Sequence, residues 1–268
     1  MSRIRETFAS LKRGGRGGFI PFITAGDPDI ATTELLLIEL AAAGADIIEL
    51  GVPFSDPVAD GEVIQRASER ALRNGVTLRD ALACAARAKQ RIDVPIVLFS
   101  YFNPLLKFGE QKLAKEAKQA GVDGVLVTDL IPEEAQSWTE TLVQFDLDPI
   151  FLVAPTTSDE RLARIAQQAS GFIYAVSRAG VTGARDEMSR DAEALVKRVR
   201  SVSALPVAVG FGISTAEQVR EVWRFADAAV IGSAIVREIE RLSGNANLVG
   251  QIGRFTRSLI APGFAGEL

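Results

Sequence analysis

The stretch Ala45-Asp46-Ile47-Ile48-Glu49-Leu50-Gly51 decides how the chain is read. It is apolar except at Asp46 and Glu49 and rich in isoleucine, and it follows a glycine at Gly44. A short, nearly continuous apolar run of this kind reads as a strand buried on both faces. Side chains alternate along a strand, so Ile47, Glu49 and Gly51 share one face and Ile48 and Leu50 the other. The bulk of Ile48 and Leu50 suits a layer of helices. Glu49 then points to the opposite side, near the strand's C-terminal end.

The same unit recurs outward in both directions. Further strands are expected at Gly18–Thr24, Pro95–Ser100, Gly124–Val127, Pro149–Val153, Phe172–Val176, Pro206–Gly210 and Ala229–Ile231, with this one at Ile47–Gly51. Helical stretches separate them. One is capped by Asp29 and stops near Gly44; others cover Phe108–Ala120, Glu133–Phe145, Ser158–Ala169, Met188–Arg200, Thr215–Phe225 and Leu248–Ile260. Strand and helix in alternation imply a parallel sheet with helices outside it. Eight such units in 268 residues fit a single (β/α)8 TIM barrel spanning residues 1–268. A doubly wound open sheet is the alternative, but strand one runs into Thr24-Ala25-Gly26-Asp27-Pro28, which lacks the glycine fingerprint of that fold. Extra helices are expected at Ile4–Leu11, where one can plug the barrel bottom, at Gly61–Asn74 and Thr77–Arg91 after strand two, and from Ser233 after strand eight.

Composition narrows the chemistry. Lys plus Arg number 30 against 34 Asp plus Glu, a net charge of −4 that argues against nucleic acid or an anionic membrane as partner. There is one cysteine and no histidine, which excludes an intrachain disulfide and every triad or zinc site that needs an imidazole; no metal site has credible ligand spacing. Proton transfer would fall to carboxylates, lysine or tyrosine. The N-terminus, Met1-Ser2-Arg3-Ile4-Arg5, is charged and reads as cytoplasmic rather than exported.

Glu49 at the C-terminal end of a barrel strand stands where barrel enzymes place catalytic groups; a structural Glu paired with a base is the competing reading. The loop Val52-Pro53-Phe54-Ser55-Asp56-Pro57-Val58-Ala59-Asp60-Gly61 offers Asp60 as a second carboxylate, although on composition Asp56 and Asp60 also suit turn and cap positions. Tyr174 shares parity with Phe172 on strand six, either to bind a substrate hydroxyl or as core. The loop Ser177–Arg185 is long and rich in small residues, as a lid or as ordinary surface. Gly210-Phe211-Gly212 after strand seven and Gly232-Ser233 after strand eight, the latter opening a helix, together suit the phosphate site of barrels, with tight packing at a helix start as the competing reading.

Three segments carry a resemblance. Pro21–Pro28, Glu49–Pro57 and Ser177–Gly183 resemble, in the same order, the signatures of the tryptophan synthase alpha chain, and the likeness covers nearly the whole sequence. It implies retro-aldol cleavage of indole-3-glycerol phosphate to indole and D-glyceraldehyde 3-phosphate. It puts the catalytic glutamate at Glu49 and the catalytic aspartate at Asp60, with Tyr174 in support. It implies a phosphate held by Gly183, Gly212, Gly232 and Ser233, and an indole pocket of Phe22, Ile64, Phe99, Leu126 and Phe211, with Thr182 in the lid. It implies an α2β2 complex with a beta chain that holds the pyridoxal phosphate, none being needed in this chain. Pro53, Asp56 and Asn103 would lie toward that interface. Glu62 and Val63 stand where the family commonly has Pro and Thr, which leaves a mainly regulatory subunit, or a stand-alone lyase, as alternatives.

Overall fold

The computed structural model describes residues 2–176, 185–210 and 212–261, with the side chains of residues 185–189 outside the description. The elements run α1 (Arg3–Arg13), β1 (Gly18–Thr24), α2 (Ile30–Ala42), β2 (Ile48–Gly51), α3 (Glu62–Arg73), α4 (Leu78–Lys89), β3 (Ile96–Ser100), α5 (Phe102–Phe108), α6 (Glu110–Gln119) and β4 (Gly124–Val127). They continue with α7 (Gln136–Gln144), β5 (Asp148–Val153), α8 (Asp159–Gln168), β6 (Ile173–Val176), α9 (Arg185–Val202), β7 (Val207–Gly210), α10 (Ala216–Val222), β8 (Ala228–Ile231), α11 (Ser233–Leu242) and α12 (Leu248–Ile260). The strands pair in sequence order, all parallel, and β1 pairs with β8 to close the barrel. Among the described residues no helix is long and apolar enough to cross a membrane.

Strand alternation sorts the apolar side chains into two layers. Ile23, Ile48, Leu50, Leu98 and Val125 face outward and pack with Leu36, Leu37, Leu40, Ala85 and other helix residues. Ile20, Ile47, Val97, Leu126, Ile150, Phe172 and Tyr174 fill the lumen. The lumen is a packed core, as expected for eight strands. Its lower end is sealed by α1, whose Ile4, Phe8 and Leu11 recur at helical spacing and join the lumen cluster. Phe8 meets Phe172 with ring centroids 5.7 Å apart. The expected plug is therefore present, and it leaves the C-terminal mouth as the free end.

Local signals account for several helix starts. Asp29 accepts from the Thr32 N–H, Ser158 from the Arg161 N–H, and Thr77 and Thr215 form reciprocal capping boxes with Asp80 and Gln218. Two expectations need correction. The helix expected over Phe108–Ala120 is α6, which starts only at Glu110 behind Gly109 with φ 95°, a backbone state that glycine adopts without strain; the separate helix α5 before it, Phe102–Phe108, was not expected. Pro104 lies in the first turn of α5, where its missing N–H costs nothing. The helix expected from Glu133 begins only at Gln136, because residues after Ile131 form a turn closed by the Glu134 N–H to the Ile131 carbonyl at 3.0 Å.

The plug predicts a stability cost far from the mouth. Phe8→Ala removes a buried ring from the lumen and is expected to destabilise the chain by about 3–5 kcal/mol, read as a lower urea midpoint with an unchanged slope.

Candidate active site

Glu49 sits in the middle of β2, in register with Phe22 of β1 and Val97 of β3. Its strand face carries Ile47 into the lumen, so alternation sends the carboxyl group inward as the sequence implies. Glu49 is 1% exposed, and neither carboxylate oxygen has a hydrogen-bond partner among the described residues. The competing reading, a structural Glu paired with a base, finds no such base among the described residues. Burial without compensation pushes its pKa up from 4.5 to about 8. At neutral pH this carboxyl group is mostly protonated.

Asp60 ends the loop after β2. Gly61, not Asp60, is the N-cap of α3, and no side chain caps that helix. The cap reading of Asp60 therefore does not hold, and its carboxylate is left for other work. Its backbone is tied down at both sides: the Asp60 N–H donates to the Pro57 carbonyl at 3.0 Å, and Gln65 Nε2 donates to the Asp60 carbonyl at 2.8 Å. Burial raises the Asp60 pKa from 3.8 to about 6, against hydrogen bonding from the Tyr101 hydroxyl, which favours the carboxylate.

Tyr101 escaped the sequence analysis. It follows β3 directly, is buried, and its hydroxyl accepts from the Ala59 N–H at 3.0 Å. Its ring lies against Phe54 of the same loop, centroids 5.0 Å apart. One aromatic residue just after β3 thus holds the loop that carries Asp60. Parity with Phe99 was the available signal, since both then turn toward the mouth.

Tyr174 is buried on β6 in the lumen cluster. Burial raises its pKa well above 10, and the nearby negative charges of Glu49 and Asp60 add to the effect. The three groups therefore share one electrostatic neighbourhood. Tyr174 owes its place to a glycine on the next strand: a Cβ on Gly210 would lie 2.1 Å from the Tyr174 hydroxyl. Gly51 plays the same part for Phe22, whose ring would stand 2.5 Å from an added Cβ.

The apolar candidates divide. Phe22 and Phe99 meet edge to face at 5.2 Å, and Ile64 of α3 packs with them. Leu126 pairs in register with Phe99 and belongs to the lumen cluster. Phe211, Gly183 and Thr182 lie outside the described residues. Gly212 and Gly232 sit at neighbouring junctions, because β7 and β8 pair through Gly210 and Val230. Gly212 has φ 74°. Gly232 precedes α11, and Ser233 opens it. The first N–H groups of a helix have no intrahelical acceptor and point outward, so this end of α11 presents a positive edge to the mouth. A pair of perturbed carboxyl groups, an aromatic slot and an anion-ready helix end thus surround one opening.

Comparison with known proteins agrees with this arrangement. A family model described as tryptophan synthase alpha chain matches residues 8–259. The tryptophan synthase alpha chain of Citrifermentans bemidjiense is 52% identical over 259 residues, covering 97% of each chain. The crystal structure of tryptophan synthase subunit alpha from Legionella pneumophila superposes with a TM-score of 0.89 at 37% identity, covering 97% of this chain and 98% of that one. A tryptophan synthase structure from M. tuberculosis, in its aminoacrylate-bound form, gives 0.86 at 36% identity over 97% and 100%. By sequence and by fold, the chain belongs to the tryptophan synthase alpha chain family.

Proposed function

We propose that Glu49 and Asp60 carry out the cleavage of indole-3-glycerol phosphate that membership of this family gives the chain. The observation that supports this most is the pair of carboxyl groups at one mouth with pKa values pushed apart, to about 8 and about 6. Near pH 7 Glu49 then holds a proton and Asp60 has lost one, which is how two like groups divide acid and base work.

The chemistry follows from that division. Ionised Asp60 accepts the indole N–H and stabilises the positive charge that grows on the ring. Neutral Glu49 gives its proton to the indole C3, which converts the ring to an indolenine. The resulting Glu49 carboxylate then takes the proton of the adjacent glycerol hydroxyl. The carbonyl of glyceraldehyde 3-phosphate forms as the carbon–carbon bond breaks, and the bonding electrons return to the ring as indole. Tyr174 orders the base of the site. Phe22, Ile64, Phe99, Leu126 and Phe211 hold the ring. Gly183, Gly212, Gly232 and Ser233 hold the phosphate, chiefly by backbone N–H groups, with the dipole of α11 in support. By the family resemblance, Thr182 is assigned to a lid over the loop that carries Asp60.

The scheme needs no cofactor in this chain; pyridoxal phosphate is assigned to the beta chain, with which this chain forms an α2β2 complex in the cytoplasm. Leu106 and Ile131 support a partner at the mouth: both are large apolar residues left exposed beside the ends of β3 and β4. Released indole then leaves the mouth directly into the partner.

Three outcomes test this reading. The pH profile of kcat/KM for indole release is expected to be bell-shaped, rising near pH 6 as Asp60 ionises and falling near pH 8 as Glu49 loses its proton. Glu49→Gln is expected to lower the rate at least about 10²-fold, and undiminished release would remove Glu49 from the mechanism. Gly210→Ala displaces the Tyr174 hydroxyl and is expected to cut kcat/KM by roughly tenfold or more while the protein stays folded by circular dichroism. For the interface, Ile131→Asp is expected to weaken beta-chain binding at least about tenfold in calorimetry, with the chain's own indole release within about twofold of wild type.

A further inference from the structure

One ion-pair cluster lies outside the groups assigned above, and it joins the two elements that carry them. Arg70 of α3 forms a fork on Asp27 in the loop after β1, with Nε to Oδ1 at 2.8 Å and Nη2 to Oδ2 at 2.9 Å. Its remaining nitrogen, Nη1, reaches Glu240 Oε1 of α11 at 2.7 Å. Arg66, one turn earlier on α3, grips the same Glu240 carboxylate with two hydrogen bonds of 2.8 Å. Asp27 is 1% exposed, so this pair is well shielded from solvent and salt, unlike most ion pairs of the molecule. The two arginines hold the Glu240 carboxyl well below the usual range, to about 2. Planar guanidinium groups set direction as well as distance, so the cluster fixes how α3 and α11 lie against each other.

Each helix reaches the mouth at its N-terminus. Asp60 lies next to Gly61, the N-cap of α3, and Gly232 caps α11, which opens at Ser233. Arg70 lies about 12 Å along α3 from its first residue, and Glu240 about 10 Å along α11, at the ordinary rise per residue. A tilt of about 5° at such a joint moves a helix tip by about 1 Å, and a misplacement of that size is enough to cost catalysis heavily. We propose that Arg70 is a positioning residue, which sets the spacing between the Asp60 end of α3 and the phosphate end of α11 so that one substrate molecule engages both. The inference rests on the reading of the site given above.

Spacing has a signature that loss of stability lacks. A ligand that occupies only one half-site does not sense the distance between them, whereas the substrate spans both. Arg70→Lys keeps the charge but cannot form the fork on Asp27 while reaching Glu240. Glu240→Ala keeps the Arg70–Asp27 fork and releases α11 alone. Inorganic phosphate and indole are titrated separately into wild type and both variants, and indole release from indole-3-glycerol phosphate is measured in parallel. In whichever variant folds with a native circular dichroism spectrum, both single probes are expected to bind within about twofold of wild type, while kcat/KM falls roughly tenfold or more. Unchanged kcat/KM in the folded variants overturns the positioning role. So does a loss of phosphate and indole binding in the same proportion as kcat/KM, which marks a merely structural cluster. Absence of indole release from wild type would instead overturn the reading of the site.

Discussion

A carboxyl group buried in the lumen of a closed parallel barrel is shut off from bulk solvent, and the walls of this lumen are aliphatic and aromatic. Glu49 occupies such a place without a hydrogen-bond partner among the described residues. The arrangement costs stability, and the sign is definite. Below the ordinary pKa of 4.5 the group is neutral in both folded and unfolded chains, and burial carries no charge penalty. Between about 4.5 and about 8 the unfolded chain ionises while the folded chain does not, so stability is lost as pH rises through that window. By pH 7 the loss is on the order of 3 kcal/mol. A barrel with the same lumen and an apolar residue at this position would be more stable. The penalty is tolerable because the rest of the lumen, including the α1 plug, is filled.

The surrounding structure serves to keep that proton in place and to set other groups around it. Two glycines, Gly51 and Gly210, remove the side chains that would keep Phe22 and Tyr174 out. Tyr101 anchors the loop of Asp60, whose partly buried carboxyl stays more acidic than Glu49. The contrast between the two acids is one of degree of desolvation. It arises from where each lies along the barrel axis, one within the lumen and one above it. Helices α3 and α11, tied through Arg70 and Glu240, frame the same opening from outside the strand ring.

Much of this was legible in local pattern. Alternation along Ile47–Gly51 is a property of one strand, so the inward direction of Glu49 followed from six or so residues without knowledge of their neighbours. The helix at Ile4–Leu11 was likewise expected as a plug, and its Ile4, Phe8 and Leu11 form the face that enters the lumen. What escaped depends on distant segments. Tyr101 meets the Ala59 N–H across 42 residues and Arg70 meets Glu240 across 170, and neither pair has a signature within a single element. Helix α5 was missed because its seven residues, Phe102–Phe108, are too few to show a helical period and carry Pro104. Asp60 was ambiguous between cap and catalytic group, and the position of Gly61 as the true cap resolved it.

The account turns on Glu49 being neutral at physiological pH for lack of solvation. Isotope-edited NMR of the side-chain carboxyl carbons across a pH titration, with Glu49→Gln identifying the signal, reads this directly. A Glu49 resonance that titrates near pH 8 is the predicted result; one that titrates near the ordinary 4.5 would contradict the account.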